Sequence, residues 1–296
     1  MAGEASGRLP GRHLLLALAV VAIWGSNFAI IKLALGTLPP LLFATLRFLF
    51  ALLPAVFLLP RPNVPQRELA AYGVLIGAGQ FGVLFIAMRG HISPGLASLV
   101  VQMQVFFTIG LAMWKAGERL HPHQWVALAL AGSGIALIAW RSDGSASPLG
   151  LALTLLAALS WAAGNLVARR AGRVNMLAYV VWASLYSVVP LALLSLWLEG
   201  PGAIVRGLRA ADAGVWAAVL WQSAGNTLFG YAVWAWLLAR HPAALVSPVA
   251  LLVPVFGMGA SAWWLDEAMP AWKLAAAALV LAGLALNLLW PHRKAS

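Results

Sequence analysis

Long apolar runs, broken at short and regular intervals, dominate the chain. Ten windows each hold about the 20 predominantly apolar residues that a membrane helix needs: 13–34, 39–59, 68–89, 93–114, 122–140, 149–169, 175–198, 213–238, 243–264 and 271–290. The breaks carry turn and helix-stop chemistry: Pro39-Pro40, Arg61 to Pro65, Ser93-Pro94-Gly95, His121-Pro122, Arg141 to Pro148, Gly200-Pro201, His241-Pro242 and Pro270. The runs are too long for barrel strands and lack their alternation. The pattern predicts an all-α integral membrane protein of ten transmembrane helices.

A second pattern lies over the first. Shifting Leu96–Glu118 by 149 residues lays it without a gap on Leu245–Glu267, with Leu96/Leu245, Ser98/Ser247, Val100/Val249, Phe107/Phe256, Gly110/Gly259, Trp114/Trp263 and Glu118/Glu267 coinciding. Leucines and valines match easily between apolar runs, but Ser, Gly, Trp and Glu at shared spacing mark a repeat. The first spans of the halves also correspond: Trp24 and Trp161 are each followed eight residues later by a cation, Lys32 and Arg169. The chain therefore divides into two five-helix units, 1–140 and 149–290.

Composition and charge refine this picture. The chain is 62% hydrophobic and 9% charged, against about 25% charged in a soluble domain, so lipid is its solvent. The net charge of +11 does not form the basic stripe that nucleic acid requires. It sits in the connections, where it sets orientation. With a cytoplasmic N-terminus the inner side holds twelve of the nineteen Lys and Arg: Arg8, Arg12, Arg61, Arg67, Lys115, Arg119, Arg169, Arg170, Arg173, Arg240, Arg293 and Lys294. The outer side holds Lys32, Arg89, Arg141, Arg206, Arg209 and Lys273, and Arg47 lies within a span. Both termini are expected in the cytoplasm. Five spans per unit is an odd number, so the second unit enters the membrane upside down, and a binding site is expected near the midplane where the units meet. The basic, apolar N-terminal segment is too long for a cleaved signal peptide and reads as a retained first span.

Polar groups at membrane depth either face a cavity or join helices. Candidates are Trp24 and Asn27 in the first span, Gln80 in the third, Ser98 and Gln102 in the fourth, Trp161 and Asn165 in the sixth, and Gln222 and Asn226 in the eighth. On a regular helix Ser98, Gln102 and Phe106 share a face, and Gln104 points almost the opposite way, so both glutamines are not expected in one pocket. Phe229 is expected to continue the Gln222–Asn226 face. Trp182 precedes Tyr186 by one turn. Each amide alone is balanced between lining a cavity and bonding helices; amides beside aromatics on several spans together suit a polar or zwitterionic guest. Arg47 reads as a structural cation first and a partner for a guest carboxylate second. Lys32 and Arg169 read as snorkelling ends. Gly73 with Gly77, and Gly225 with Gly230, are expected at close helix contacts, and Pro54, Pro190, Pro248 and Pro254 at kinks. Pro248 and Pro254 could make the ninth span a bent gate. Glu118 and Glu267 read as end-caps or gate ion pairs on opposite faces.

The stretches Trp24-Gly25-Ser26-Asn27 to Lys32, Pro39-Pro40, Leu46-Arg47-Phe48, Gly95 to Gly110 and Gly117-Glu118-Arg119-Leu120 resemble the drug/metabolite transporter superfamily in its EamA-type branch, over nearly the whole chain. The resemblance implies two inverted five-helix repeats, alternating access, a bacterial inner-membrane location, and efflux of amino acids or their derivatives, small and polar in some relatives and aromatic in others. It leaves the cargo of this chain open.

What the spans lack matters as well. None of the acids Glu4, Glu68, Glu118, Asp143, Glu199, Asp212, Asp266 and Glu267 falls near mid-span, and the six histidines lie at span ends. The buried carboxylate of a proton/cation exchanger is absent, which favours uniport-like facilitated efflux over the alternative, a proton-coupled multidrug or metabolite antiporter. There is no acid–base cluster, zinc motif or nucleophile elbow, so no enzyme is expected, and no metal or cofactor. Cysteine is absent altogether, which excludes disulfides and thiolate sites. Neither a filter motif nor a ring of charges marks a channel. Ten spans with internal symmetry enclose a cavity without a partner, which favours a monomer. Finally, where the first copy of the repeat has Gln102 and Gln104, the second has Leu251 and Val253; the scaffold reads as symmetric and the pocket as one-sided, with Gln102 its leading residue.

Overall fold

The computed structural model describes residues 9–116, 121–141, 143–172, 174–241 and 243–290, excluding the side chains at 112, 115, 116, 243 and 244. Glu118 and Arg119, named above as one end-cap or gate pair, lie outside the described residues, as do Glu4, Arg8, Arg173, His292, Arg293 and Lys294.

All regular structure among the described residues is helical. Nine segments are long and apolar enough to cross a membrane: Gly11–Ala34, Pro40–Leu58, Gln66–Gly90, Pro94–Leu111, Pro122–Trp140, Pro148–Arg170, Met176–Ala210, Ser247–Trp264 and Ala271–Leu289. A further continuous helix over 213–240 is just as long. It is less apolar because Gln222, Ser223, Asn226 and Thr227 fall in its middle. The helices coincide with the ten sequence windows to within a few residues, with one addition. After Glu199 the chain turns at Gly200, whose φ of +77° suits a residue without a Cβ, and forms a helix over Gly200–Ala210 where the apolar pattern predicts only a loop. Pro201 in its first turn and the spacing of Ile204, Val205 and Leu208 are the sequence signals for it.

The second span breaks at Leu53-Pro54, and the ninth runs as a tight 3₁₀ stretch, Ser247–Leu252, before its α-helix Val253–Trp264. The third and eighth spans widen into π-helical turns at Leu75–Gly82 and Trp221–Phe229. Such turns are rare, recur at functional sites and change which residues share a face.

Small residues set the packing. A Cβ on Gly73 or Gly77 would meet Ala183 or Ser187 of the seventh span, and one on Gly25 would meet Phe256 and the Val253 carbonyl of the ninth. Gly230 abuts Trp24, whereas Gly225 has only its own Trp221 nearby and makes no interhelical approach. The fifth and tenth spans pack reciprocally. Gly134 faces Ala276 and Val280, and Gly283 faces Ala127 and Ala131. Adding 149 converts 127, 131 and 134 into 276, 280 and 283, so each half presents equivalent positions to the other. Positions that rise along one helix meet positions that fall along its mate, so the pair is antiparallel. A repeat related this way is inverted. Trp114 and Trp263, also equivalent, are each 84% exposed, as interfacial anchors are.

Two acids tie span ends together. The Glu199 carboxylate accepts from Leu41 N–H (2.7 Å) and Leu42 N–H (3.0 Å), capping the second span. Glu267 accepts from Gly95 N–H (3.0 Å) and the Ser93 hydroxyl, capping the fourth span, and pairs with the buried Lys273 Nζ at 3.2 Å. The expected alternatives for Glu267, end-cap or ion pair, are thus both realised. Lys32 turns back to donate to the carbonyls of Met88 (3.2 Å) and Arg89 (3.4 Å) at the end of the third span. Arg169 is exposed.

Candidate functional site

A cavity of about 390 Å³ lies among the first, third, fourth, sixth, seventh, eighth, ninth and tenth spans. Its wall includes Trp24, Asn27, Gln80, Gln102, Trp161, Asn165 and Asn226, drawn from both halves of the chain. It extends from mid-span to one end of the bundle, where Ala168, Met176, Ser247 and Leu288 line it near the termini of their helices. The Glu267–Lys273–Ser93–Gly95 knot lies at the other end.

The polar wall is a connected network around Arg47, which is 1% exposed. Its Nη1 donates to Gln222 Oε1 at 2.8 Å; its Nη2 donates to Asn226 Oδ1 at 2.9 Å and Thr227 Oγ1 at 3.2 Å. The guanidinium lies over the Phe81 ring, 3.5 Å from the centroid, a cation–π contact. Gln222 Nε2 donates to Asn27 Oδ1, and Trp24 Nε1 donates to the Asn226 backbone carbonyl at 3.1 Å. The π-helical turn makes this possible. Residues five apart align in it, so Thr227 stands over Gln222 and its hydroxyl donates to the Gln222 carbonyl at 2.9 Å. Without a wide turn, Gln222, Asn226 and Thr227 would not converge on one guanidinium. A second, tiny cavity of about 10 Å³ adjoins Arg47 and shares Tyr72, Phe81 and Tyr231 with the main one.

On the sixth span Asn165 Nδ2 donates to Gln104 Oε1 (3.1 Å) and Thr108 Oγ1 (3.4 Å), while the Thr108 hydroxyl is spent on the Gln104 carbonyl (2.7 Å). No hydrogen bond among the described residues engages Asn165 Oδ1, an acceptor. Gln80 is buried, and its Oε1 has no hydrogen-bond partner among the described residues.

Of the nine residues singled out from the sequence, seven line the cavity. Gln222 stands behind the wall, fully buried, and reaches it only through Asn27. Ser98 is set apart: its hydroxyl donates to the Gly95 carbonyl at 2.7 Å, and it packs against Gly257 of the ninth span. Two expectations need correction. Gln104 lines the same cavity as Gln102, because Val101–Met103 is a 3₁₀ turn, which brings positions two apart closer to one face than an α-helix does. Phe229 does not continue the polar face of the eighth span; it is 39% exposed, rotated away by the same wide turn. Trp182 faces the second span, with its Nε1 donating to the Leu59 carbonyl at 3.1 Å. Tyr72, Phe81 and Tyr231, wall residues that the sequence pattern does not single out, carry no distinguishing spacing in an aromatic-rich chain.

A family model described as the EamA-like transporter family matches residues 11–140 and again 148–289. A protein of Salmonella typhimurium named "Probable amino-acid metabolite efflux pump" is 41% identical over 278 residues, covering 92% of this chain and 93% of that protein. A protein of the same name from Escherichia coli is 38% identical with the same coverage. A "Probable terminal-alkyne amino-acid exporter" of Streptantibioticus cattleyicolor is 27% identical over 231 residues, 76% of this chain and 74% of its own length. A solved crystal structure of a protein with 20% identity superposes with a TM-score of 0.65 over 97% of this chain and all of its own, a likeness of fold.

Proposed function

The chain belongs to the EamA-like transporter family, and from that premise we propose that it exports amino acids and related metabolites across the bacterial inner membrane by alternating access. Transport is uniport-like, down the gradient of the cargo. The observation that carries the reading is the cavity itself: amides and indoles at mid-span, reaching one end of the bundle and stopping short of the other. Trp24, Asn27, Gln80, Gln102, Trp161, Asn165 and Asn226 contact the guest, with Gln222 holding the wall in place. Ser98 serves the close approach of the fourth and ninth spans rather than the guest. The two inverted units are 1–140 and 149–290, both termini face the cytoplasm, and the protein works as a monomer. The names of the relatives with 41% and 38% identity point the same way.

Uniport is favoured because all the described acids lie towards span ends, leaving no mid-span carboxylate to alternate between proton and cargo. Purified protein in liposomes tests both parts. Saturable counterflow of labelled amino acids is expected, at a rate indifferent to an imposed pH gradient at fixed cargo. Unsaturable flux would instead mean a channel and a chemical product an enzyme. A rate that follows the pH gradient would replace uniport with a proton-coupled antiporter.

A further inference from the structure

The amide chain around Arg47 determines which atoms face the cavity. A guanidinium only donates hydrogen bonds, so any amide atom that meets it is an oxygen. Gln222 therefore turns Oε1 to Nη1, and Asn226 turns Oδ1 to Nη2. Gln222 then has only its NH₂ left, and this donates to Asn27 Oδ1. The constraint passes along the chain. Asn27 and Asn226 end alike, oxygen engaged and Nδ2 remaining. Neither Nδ2 donates in any hydrogen bond found among the described residues. The two residues are 3% and 6% exposed, and both border the main cavity.

Charge reinforces geometry. Arg47 meets three neutral oxygens and the rings of Phe81 and Phe48, and its Nε is buried without a hydrogen-bond partner among the described residues. The one ion pair among the described residues joins Lys273 and Glu267, at a span end. A buried charge without a counter-ion is costly, and a guest that supplies the opposite charge relieves that cost. In a medium of low dielectric the attraction does not require direct contact.

We infer that Asn27 and Asn226 form a carboxylate subsite: two NH₂ donors, oriented by Arg47 (through Gln222 in the case of Asn27), that bring an unneutralised positive charge to bear on the cavity wall. Arg47 and Gln222 are positioning residues here, since neither borders the main cavity. The subsite takes its cargo from the transport reading above, but its chemistry is testable by binding alone.

The test uses purified full-length protein and matched probes: L-phenylalanine against L-phenylalaninamide, L-serine against L-serinamide, and 3-phenylpropionate against 3-phenylpropionamide. Affinity is read by tryptophan fluorescence and by thermal stabilisation, and each probe also competes in counterflow. Charge-assisted hydrogen bonds predict that each acid binds about tenfold or more tightly than its amide. Gln222→Glu gives Arg47 an internal carboxylate and, having no NH₂ for Asn27 Oδ1, turns Asn27 Nδ2 from the cavity towards the new acceptor; on both counts it should shrink that ratio to about threefold or less. Asn27→Asp keeps the bond from Gln222 but replaces the donor with a charged acceptor, and should favour the amide. Because it is isosteric, it decides the question if Gln222→Glu fails to fold. Equal affinities in the wild type, no binding of any probe, or ratios unmoved in both variants would overturn the subsite. Counterflow without acid preference sinks the subsite and leaves the transporter. Acid-selective binding without counterflow sinks the transport reading and leaves the subsite.

Discussion

At the scale of the residue, Gln102 is the test of a pocket built unequally on a symmetric frame. Its repeat equivalent is Leu251, and both border the same cavity, so the two halves bring an amide and an isobutyl group to one space. Gln102→Leu copies the second half into the first. It should lower counterflow at least about tenfold, the scale of one lost hydrogen bond to a charged guest, with an unchanged thermal midpoint. Normal transport would remove Gln102 from the site. Much of this wall is legible in the sequence, because an amide in an apolar span is conspicuous: seven of the nine chosen residues border the cavity. Ser98 shows the limit. A small hydroxyl suits a tight helix contact as well as a pocket, and only the nearness of Gly257 decides between them.

At the scale of the element, sequence periodicity misplaces residues for a physical reason. It assumes one twist per helix, and three local departures carry the errors: the 3₁₀ turn at Val101–Met103, the π turns at Trp221–Phe229, and the helix Gly200–Ala210 in place of a loop. No residue type announces a π turn, so a regular helix rotates Phe229 wrongly while keeping Gln222 and Asn226, only four apart, together. The 3₁₀ stretch Ser247–Leu252, which contains Pro248 and leads into Pro254, is the element best suited to gate, as it already lacks regular α-helical bonding and borders the cavity at Ser247, Ala250 and Leu251. Pro254→Ala should change the counterflow rate at least about threefold while membrane abundance stays within normal variation, because Pro254 sits in the first helical turn, where proline is tolerated. Equal loss of both would make it merely structural. At the far end of the bundle, Glu267→Gln removes the partner of buried Lys273 and weakens the cap on the fourth span. A loss of about 3 kcal/mol, the lower range for breaking a buried pair, should appear as a lower thermal midpoint of the purified protein. An unchanged midpoint would show that the pair contributes nothing to closing that end.

At the scale of the whole molecule, the inverted repeat is legible because it is written in residue identity at fixed spacing, which survives any local change of twist. What the alignment of the halves does not supply is the contact that joins them. Gly134 and Gly283 supply it. Each receives the other helix where a Cβ would fall within 2.5 to 2.8 Å of a carbonyl or a methyl, so valine at either position forces the pair apart. Overpacking of this kind costs about 1–3 kcal/mol. Symmetry demands more than destabilisation. Because residues 127, 131 and 134 face residues 276, 280 and 283, one lesion at either glycine opens the same seam. Gly134→Val and Gly283→Val should therefore lower the thermal midpoint by similar amounts. The double variant should fall short of their sum, since residues that share a contact do not add. Transport per folded molecule should survive in each, because neither glycine borders the cavity. Unequal single effects or full additivity would mean that the two contacts are separate accidents of packing rather than one seam about a two-fold axis. In that case the symmetry of the scaffold would be a relic in the sequence and not a feature the fold still uses.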